Sequence, residues 1–215
     1  MNLLKSKIYA MLISLLVTCG ALNAQETQIA KAQDVQSWME RYEQSQDQEI
    51  RGHIYGATAL NQLMAQPGVT QIKIYNALDD NGQRKLVFQG VGSDQGEVGL
   101  AFDISKACPP VCGGYITEPV ESIGAPIDLS SAHMMVSNFS LAYPNAITSY
   151  TYDAATIHTI IKSNQASGLF LAYGIDAENR AQLILQGLSA SGNLIDGPVG
   201  INAQVNYSHN LVTAE

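Results

Sequence analysis

The feature that most constrains the fold is an internal repeat at an offset of 97 residues. Aligned with itself at this offset, the chain matches without a gap from about residue 34 to residue 98. Apolar positions agree better than identities do, since Trp38 meets Met135 and Tyr42 meets Phe139. The identical pairs are Ile50/Ile147, Tyr55/Tyr152, Ala57/Ala154, Asp79/Asp176, Leu86/Leu183, Gln89/Gln186 and Gly90/Gly187. Self-similarity at a fixed period indicates one structural unit present twice.

Each copy begins with two predicted helices separated by a short extended piece. Val35, Trp38, Met39 and Tyr42 follow the i, i+3, i+4, i+7 spacing of one buried helical face. Ala132, Met135, Val136 and Phe139 repeat this spacing in the second copy. Candidate N-caps are Asp34 in the first copy and Ser130 or Ser131 in the second. The second helices are predicted over residues 57–66 and 154–164.

A β-hairpin closes each copy. In the first, Ile72, Ile74 and Asn76 alternate with Lys73 and Tyr75, which predicts a strand with one buried face. The segment Asp79-Asp80-Asn81-Gly82 has the composition of a turn. The corresponding strands of the second copy, GLFLAYGI and AQLILQGL, are apolar throughout, as expected of strands covered on both faces.

These patterns predict an α+β fold. It consists of two diverged copies of an α-(β)-α-β-β unit, which form a mostly antiparallel sheet with helices packed on one face. The predicted organisation is a signal peptide over 1–24, a first unit over 25–98, and a proline-rich connection with a CPPVC loop over 99–128. A second unit covers 129–200, and a C-terminal tail covers 201–215.

The first residues predict export. Lys5 and Lys7 precede an apolar run, and a small residue, Ala24, stands at the expected cleavage point, as in secretory signal peptides. The apolar run is too short for a membrane span, so a periplasmic or secreted protein is expected. A lipid anchor on Cys19 is the less favoured alternative, because Leu16-Val17-Thr18 fits a lipoprotein cleavage site poorly.

The acidic balance of the chain argues against nucleic acid as a partner. Residues 1–24 contain two lysines and no acidic residue, so their removal leaves 9 basic and 19 acidic side chains. The resulting net charge of −10 over 191 residues opposes binding to phosphates, which requires clustered lysine and arginine. An anionic membrane surface is disfavoured for the same reason.

Cys108 and Cys112 flank Pro109-Pro110-Val111 and are the two cysteines left after cleavage. In an oxidising compartment this pair predicts a structural disulfide that closes a very small loop. Two alternatives remain: a redox-active pair, although such pairs typically use a two-residue spacer, and a Cu(I) site on the two thiolates. Candidate further ligands are the four histidines, each expected at a surface or edge position: His53, His133, His158 and His209.

A hydrolase is a third alternative, based on four carboxylates in the connection. Asp103, Glu118, Glu121 and Asp128 are close enough in sequence to share a cleft, but no spacing rule selects two of them as an acid–base pair. No cofactor is predicted.

Residues 52–97, followed by CPPVCG, resemble an uncharacterised family of small proteins from Bacteroidota. The resemblance is based on the helix stop AQPG, the strand and turn IKIYNALDDNG, and the CPPxCG segment. It covers about residues 34–114 and implies the α+β unit and the CPPxC loop only, with no activity, ligand or site residue.

The predicted function is therefore an exported, non-enzymatic binding or interaction module. Its partner would be a protein or a small molecule of unspecified identity, and the sequence does not predict the oligomeric state. The alternative is a thiol-redox or Cu(I)-binding protein that uses Cys108 and Cys112.

Overall fold

A computed structural model describes residues 29–30, 32–45, 50–103, 105–109, 112, 116–201 and 204–207. The predicted signal peptide and Cys19 lie outside these residues. The first half contains β1 (Ile29–Ala30), α1 (Ala32–Ser45), β2 (Gly52–Gly56), α2 (Ala57–Met64), β3 (Gln71–Leu78), β4 (Arg84–Val91), β5 (Glu97–Asp103) and β6 (Lys106–Cys108). After a 3₁₀ turn (Val120–Ser122), the second half contains β7 (Ala125–Ile127), α3 (Leu129–Ala142), β8 (Ile147–Asp153), α4 (Ala154–Ser163), β9 (Gly168–Ile175), β10 (Ala181–Leu188), β11 (Val199–Ile201) and β12 (Gln204–Tyr207).

The order of elements repeats at the offset seen in the sequence. Helices α1 and α3 begin and end 97 residues apart, and so do the hairpin strands β3 and β9, and β4 and β10. The predicted α+β class is confirmed. The proline-rich connection also contains most of β5 and all of β6 and β7.

The strands form two six-stranded antiparallel sheets, each with strands from both halves. Sheet A has the order β1-β11-β10-β9-β2-β6, and sheet B the order β12-β8-β3-β4-β5-β7. Each strand of sheet A has a counterpart at the equivalent position of the other repeat. When every strand of sheet A is replaced by this counterpart, the result is the order of sheet B in reverse. The exchange occurs where β2 pairs with β9 of the second half, with Gly56 opposite Gly168. In sheet B, β8 pairs with β3 of the first half, with Asp153 opposite Gln71.

The two sheets face each other and enclose the main core. Buried residues of both inner faces, such as Ile74 of β3 and Leu171 of β9, join one hydrophobic cluster. Helices α2 and α4 contact each other and add fully buried side chains, including Leu60 and Ile157, to the same cluster. A longer helix packs on the outer face of each sheet, α1 on sheet A and α3 on sheet B.

The hairpin turns have the same construction in both copies. The Asp79 Oδ1 atom accepts hydrogen bonds from the backbone N–H groups of Asn81 and Gln83, at 2.9 and 2.8 Å. The corresponding atom of Asp176 accepts from Glu178 and Arg180, at 3.0 and 2.8 Å. The predicted turn after β3 is therefore present, and the aspartate carboxylate organises it.

The starts of both long helices differ from the sequence expectation. Helix α1 begins at Ala32, so Asp34 lies within its first turn and is not its N-cap. The N-cap of α3 is Asp128, whose carboxylate accepts from the backbone N–H of Ser131 at 2.8 Å and from the hydroxyls of Ser130 and Ser131. These hydrogen bonds lower the pKa of Asp128 well below its usual value. Either serine could cap by residue type, but the aspartate precedes the helix and accepts from both serines.

Candidate functional site

The structure joins the two cysteines. Their sulfur atoms lie 1.98 Å apart, with a Cα–Cα distance of 4.9 Å, so Cys108 and Cys112 form the predicted disulfide. Cys108 is the last residue of β6 and is buried. Its carbonyl accepts a hydrogen bond of 2.7 Å from the Arg51 N–H, and it lies opposite Gly52 in the β2–β6 pair. The disulfide therefore closes the loop that follows the edge strand of sheet A.

Metal ligands are not assembled around this disulfide in the described residues. No group of three histidine, cysteine, aspartate or glutamate side chains gathers anywhere in the part of the chain that the structure describes. His133 and His158 are exposed on α3 and α4. His209 lies outside the described residues.

The expectation of a surface or edge position is wrong for His53. This residue of β2 is fully buried, with its ring 6.2 Å from the ring of Tyr173, edge to face. Its Nδ1 atom lies 3.2 Å from the hydroxyl of Ser105, and its Nε2 atom has no hydrogen-bond partner among the described residues. Burial, together with the positive charges of Lys85 and Arg84, lowers the pKa of His53 to about 3, so the imidazole is neutral at pH 7.

The repeat contains the only sequence signal for this burial. Residue 53 corresponds to residue 150, and Tyr150 is also buried. Both side chains lie on the inner faces, because Tyr55 and Tyr152, two residues further along the same strands, join the main core.

A buried polar contact links the two halves near the ends of β3 and β9. The Tyr173 hydroxyl donates to Asn76 Oδ1 at 3.1 Å, and these two residues are themselves 97 positions apart. The Asn76 side chain donates to the Ile147 carbonyl at 2.8 Å, and the Tyr42 ring stacks on Tyr173 with centroids 5.4 Å apart. Burial raises the pKa of Tyr173 well above its usual value. The contact therefore gives hydrogen-bond partners to the Tyr173 hydroxyl and the Asn76 amide in the core, where the two halves meet.

The four acidic residues of the connection lie in different surroundings. Asp103 is buried on β5, and its carbonyl accepts a hydrogen bond from the Tyr55 hydroxyl at 3.2 Å. Glu118 pairs with Lys106 at 3.0 Å, and Glu121 is exposed in the 3₁₀ turn. Asp128 caps α3.

The repeats also differ on the outer faces of the sheets, in the area next to the part that α1 or α3 covers. On sheet A, this area is apolar and covered by the connection. Phe170 and Ile54 pack there with Val120 and Ile123. The approach is so close that a Cβ atom on Gly56 would lie 2.5 Å from the Glu121 carbonyl oxygen.

The equivalent area of sheet B is polar. Lys73 and Thr151 stand where sheet A has Phe170 and Ile54, and they lie directly opposite each other on β3 and β8. Gln71 and Asp153 form the next opposed pair, in place of Gly168 and Gly56. We call this area, together with two adjoining residues, the polar face: Gln71, Lys73, Tyr75, Glu97, Thr151 and Asp153.

The side chains of the polar face form an ordered hydrogen-bonding surface. The Tyr75 hydroxyl donates to Glu97, whose other carboxylate oxygen lies 3.4 Å from His133 Nε2. The Lys73 ammonium group lies 4.9 Å from the centre of the Tyr75 ring. The Gln71 amide donates to Asp153 at 3.1 Å. Burial, and next the hydrogen bond and charge of Glu97, raise the pKa of Tyr75, so its phenol is a neutral donor.

This face was partly foreseeable from the sequence. The alternation of Lys73 and Tyr75 with Ile72 and Ile74 predicted a polar outer side for β3, and the buried inner residues confirm it. The apolar β9 and β10 are buried along most of their length, as predicted for strands covered on both faces. The sequence did not indicate that Thr151 and Asp153 of β8 belong to this face, because β8 lies in the second half of the chain and pairs with β3 of the first half.

Comparison with known proteins returns no relative: no protein-family model, curated protein or solved structure matches the chain. Within the described part of the chain, no helix has the length and apolar character needed to cross a membrane.

Proposed function

We propose that the protein is an exported, non-enzymatic binding module that recognises its partner through the polar face. The observation behind this proposal is the difference between the two sheets. Their strand order and core are equivalent, yet one outer face is apolar and covered by the chain's own connection, whereas the other displays amide, hydroxyl and charged groups. On the polar face Glu97 is exposed and Gln71, Lys73, Tyr75 and Asp153 are partly exposed, whereas Thr151 is buried, so the first five residues are the ones that can contact a partner.

The chemistry of the polar face favours a polar partner with hydrogen-bonding groups. The Gln71 amide can both donate and accept, Lys73 offers an ammonium group, and Asp153 and Glu97 offer carboxylates. Because charges of both signs stand close together, the partner is expected to present complementary mixed charge rather than a single strong charge. A surface segment of another exported protein or a small polar molecule meets this requirement.

Export is supported by the N-terminal sequence pattern and by the disulfide. Disulfides persist in oxidising compartments such as the periplasm or the extracellular space. The site of action proposed here is therefore periplasmic or extracellular. Membership of the Bacteroidota family remains a prediction and adds no function.

The test compares two lysine variants of the exported protein. Lys73→Glu reverses the charge at the centre of the polar face, and Lys162→Glu makes the same change on the exposed side of α4. Each protein is used as bait in envelope extracts of the native host, and bound proteins and co-purifying small molecules are quantified by mass spectrometry. We expect Lys73→Glu to lose at least about nine-tenths of the specific partner, as for truncation of a central interface residue.

The control variant, Lys162→Glu, is expected to retain the partner at the wild-type level. A partner that binds the wild type and Lys73→Glu equally would place recognition elsewhere on the molecule. The absence of any specific partner for the wild type in repeated experiments would count against a binding module altogether.

The thiol or Cu(I) alternative depends on the adjacency of the two sulfur atoms and has its own test. Mass measurement with and without reductant reports the redox state, and elemental analysis reports bound copper. A pair that stays oxidised in a glutathione buffer, binds no copper, and can be replaced in Cys108→Ala/Cys112→Ala without loss of the partner would exclude this alternative. Burial restricts attack on the Cys108 sulfur, whereas Cys112 is partly exposed, so exchange would begin at Cys112.

A further inference from the structure

Helix α3 presents an uncharged outer surface, in contrast to its repeat counterpart α1. The exposed side of α1 includes Asp34, Glu40 and Glu43. The corresponding residues of α3 are Ser131, Ser137 and Ser140, and α3 contains no aspartate, glutamate, lysine or arginine at all. In addition, Ser37 and Gln44 of α1 are replaced by Met134 and Leu141. Their exposed fractions are 48% and 79%, which is high for large apolar side chains.

The exposed residues of α3 form a straight stripe with heptad spacing. Ser130, Met134, Ser137 and Leu141 follow one another at intervals of four, three and four residues, and all four are exposed. This is the spacing with which two helices pack side by side along their length. Small and large side chains alternate along the stripe.

This alternation makes the stripe complementary to an antiparallel copy of itself. When two α3 helices pair antiparallel, Ser130 meets Leu141 of the other copy and Met134 meets Ser137. Two-fold symmetry then generates the remaining two layers. Each of the four layers combines one large and one small residue, as efficient packing between helices requires. A parallel pairing would instead place Met134 against Met134 and serine against serine.

We propose that the protein forms a homodimer in which the α3 helices of two copies pack antiparallel along this stripe. Charge explains why the contact is located here. The chain has a formal net charge of −8, so two copies repel each other wherever their acidic surfaces meet. The α3 stripe reduces this repulsion, because residues 129–142 contain no charged Asp, Glu, Lys or Arg and the adjoining carboxylates, Asp128 and Glu97, hydrogen-bond to side chains of α3. The contact is isologous, as in most homodimers.

The expected affinity is modest. A helix of 14 residues is about 21 Å long, at 1.5 Å per residue. A single pair of such helices buries less than the roughly 800 Å² per partner of a standard interface. We therefore expect a weak dimer, with a dissociation constant between about 1 μM and 1 mM, which is accessible to sedimentation equilibrium over a wide concentration series.

The experiment measures dimerisation of the purified protein and of matched helix variants. Ser137→Glu introduces the residue found at the α1 position and places a carboxylate against Met134 of the partner copy. We expect the dissociation constant to rise at least about tenfold, because a charge would be buried without a partner. The control is Glu40→Ser, the reverse exchange on α1, which is expected to leave dimerisation unchanged.

An exchange of residues within the stripe distinguishes self-association from binding of another protein. Met134→Ser alone removes the large residue from two layers and is expected to weaken the dimer at least about tenfold. The double variant Met134→Ser/Ser137→Met restores one large and one small residue in each layer and is expected to recover most of the affinity. Because these positions are on the surface, circular dichroism melts recorded well below the dissociation constant, where every variant is monomeric, should match those of the wild type.

Two outcomes would overturn the proposal. The first is a protein that stays monomeric up to about millimolar concentration, the weak end of measurable association. The second is a dimer that persists in Ser137→Glu, which would place the interface elsewhere. Neither outcome bears on the polar face, since Lys73→Glu tests that surface through a different partner.

Discussion

Sheets A and B have equivalent strand orders, yet they use their outer faces differently. Their inner faces remain alike: Tyr55 and Tyr152 are both fully buried and both donate hydrogen bonds to backbone carbonyls, of Asp103 and Leu183. On the outer faces, Phe170 of sheet A corresponds to Lys73 of sheet B. The shared core limits change in both copies, whereas the part of an outer face on which no segment packs can change.

The largest effect is expected from exchanging these two outer residues. Phe170→Lys would place a charge between α1 and the connection and remove a large apolar contact, at a cost of about 3 kcal/mol. Lys73→Phe, the opposite change on the polar face, should alter the free energy of unfolding by less than about 0.5 kcal/mol. Urea unfolding followed by circular dichroism measures both.

The same experiment tests whether the halves are interdependent. Because each sheet contains strands of both halves, Phe170→Lys should shift one cooperative transition. Two separate transitions, with only one displaced, would mean that the halves unfold independently. Equal destabilisation by Phe170→Lys and Lys73→Phe would contradict the difference between the two faces.

The pH dependence of stability compares His53 with its counterpart Tyr150. The folded-state pKa of His53, about 3, is below the value of about 6.5 for an unfolded chain, so the unfolded state binds the proton more tightly. The contribution of neutral His53 to the free energy of unfolding is therefore fully present above pH 6.5. It is lost as the pH falls from 6.5 towards 3, by up to roughly 1.4 kcal/mol per pH unit. Between pH 7.5 and 4.5 we expect a loss of about 2.5 kcal/mol.

His53→Gln should abolish most of this slope, because glutamine does not titrate. Tyr150→Phe is the matched control and should retain it, since tyrosine stays neutral over this range. Restricting the measurements to pH 4.5 and above excludes Asp128, whose lowered pKa affects stability only in more acidic solution. An unchanged slope in His53→Gln would show that His53 is not the titrating group.

The smallest effect is expected from the disulfide, which β6 has and its counterpart β12 lacks. Cys108 corresponds to Val205, so only the first copy is cross-linked at this edge. Loop-closure entropy for the five residues of the ring predicts a contribution of about 2 kcal/mol at most. Cys108→Ala/Cys112→Ala should lower the urea midpoint accordingly, and dithiothreitol should do the same to the wild type but nothing further to the variant. A loss of the entire fold would show that the disulfide does more than fix the chain at the edge of sheet A.

The main elements of the fold could be predicted from the sequence because their signals are local. The periodicity of α1 and α3, the alternation along β3 and the turn at Asp79 each involve residues close in the chain. The disulfide is equally local. The polar side of β3 followed from Lys73 and Tyr75, but its partner residues on β8 did not.

The burial of His53 and the capping of α3 show where residue type is insufficient. Histidine occurs both on protein surfaces and in cores. His53 is buried because its strand, β2, lies between β6 and β9 in sheet A and the side chain is on the inner face. Asp128, Ser130 and Ser131 all have side chains that can cap a helix. Asp128 is the N-cap because its backbone is extended and the helix begins at the next residue, Leu129.

The repeat of one α+β unit, the approximate places of its helices and hairpins, and the short loop closed by two cysteines could all be predicted from the order of residues. The exchange of strands between the two units, with β2 pairing with β9 and β8 with β3, emerged from the three-dimensional structure. Both repeats contain the same apolar pattern, so a strand such as β2 is compatible with the hairpin of either half. The choice depends on contacts between residues 74 to 120 positions apart, and local periodicity has no information about such contacts.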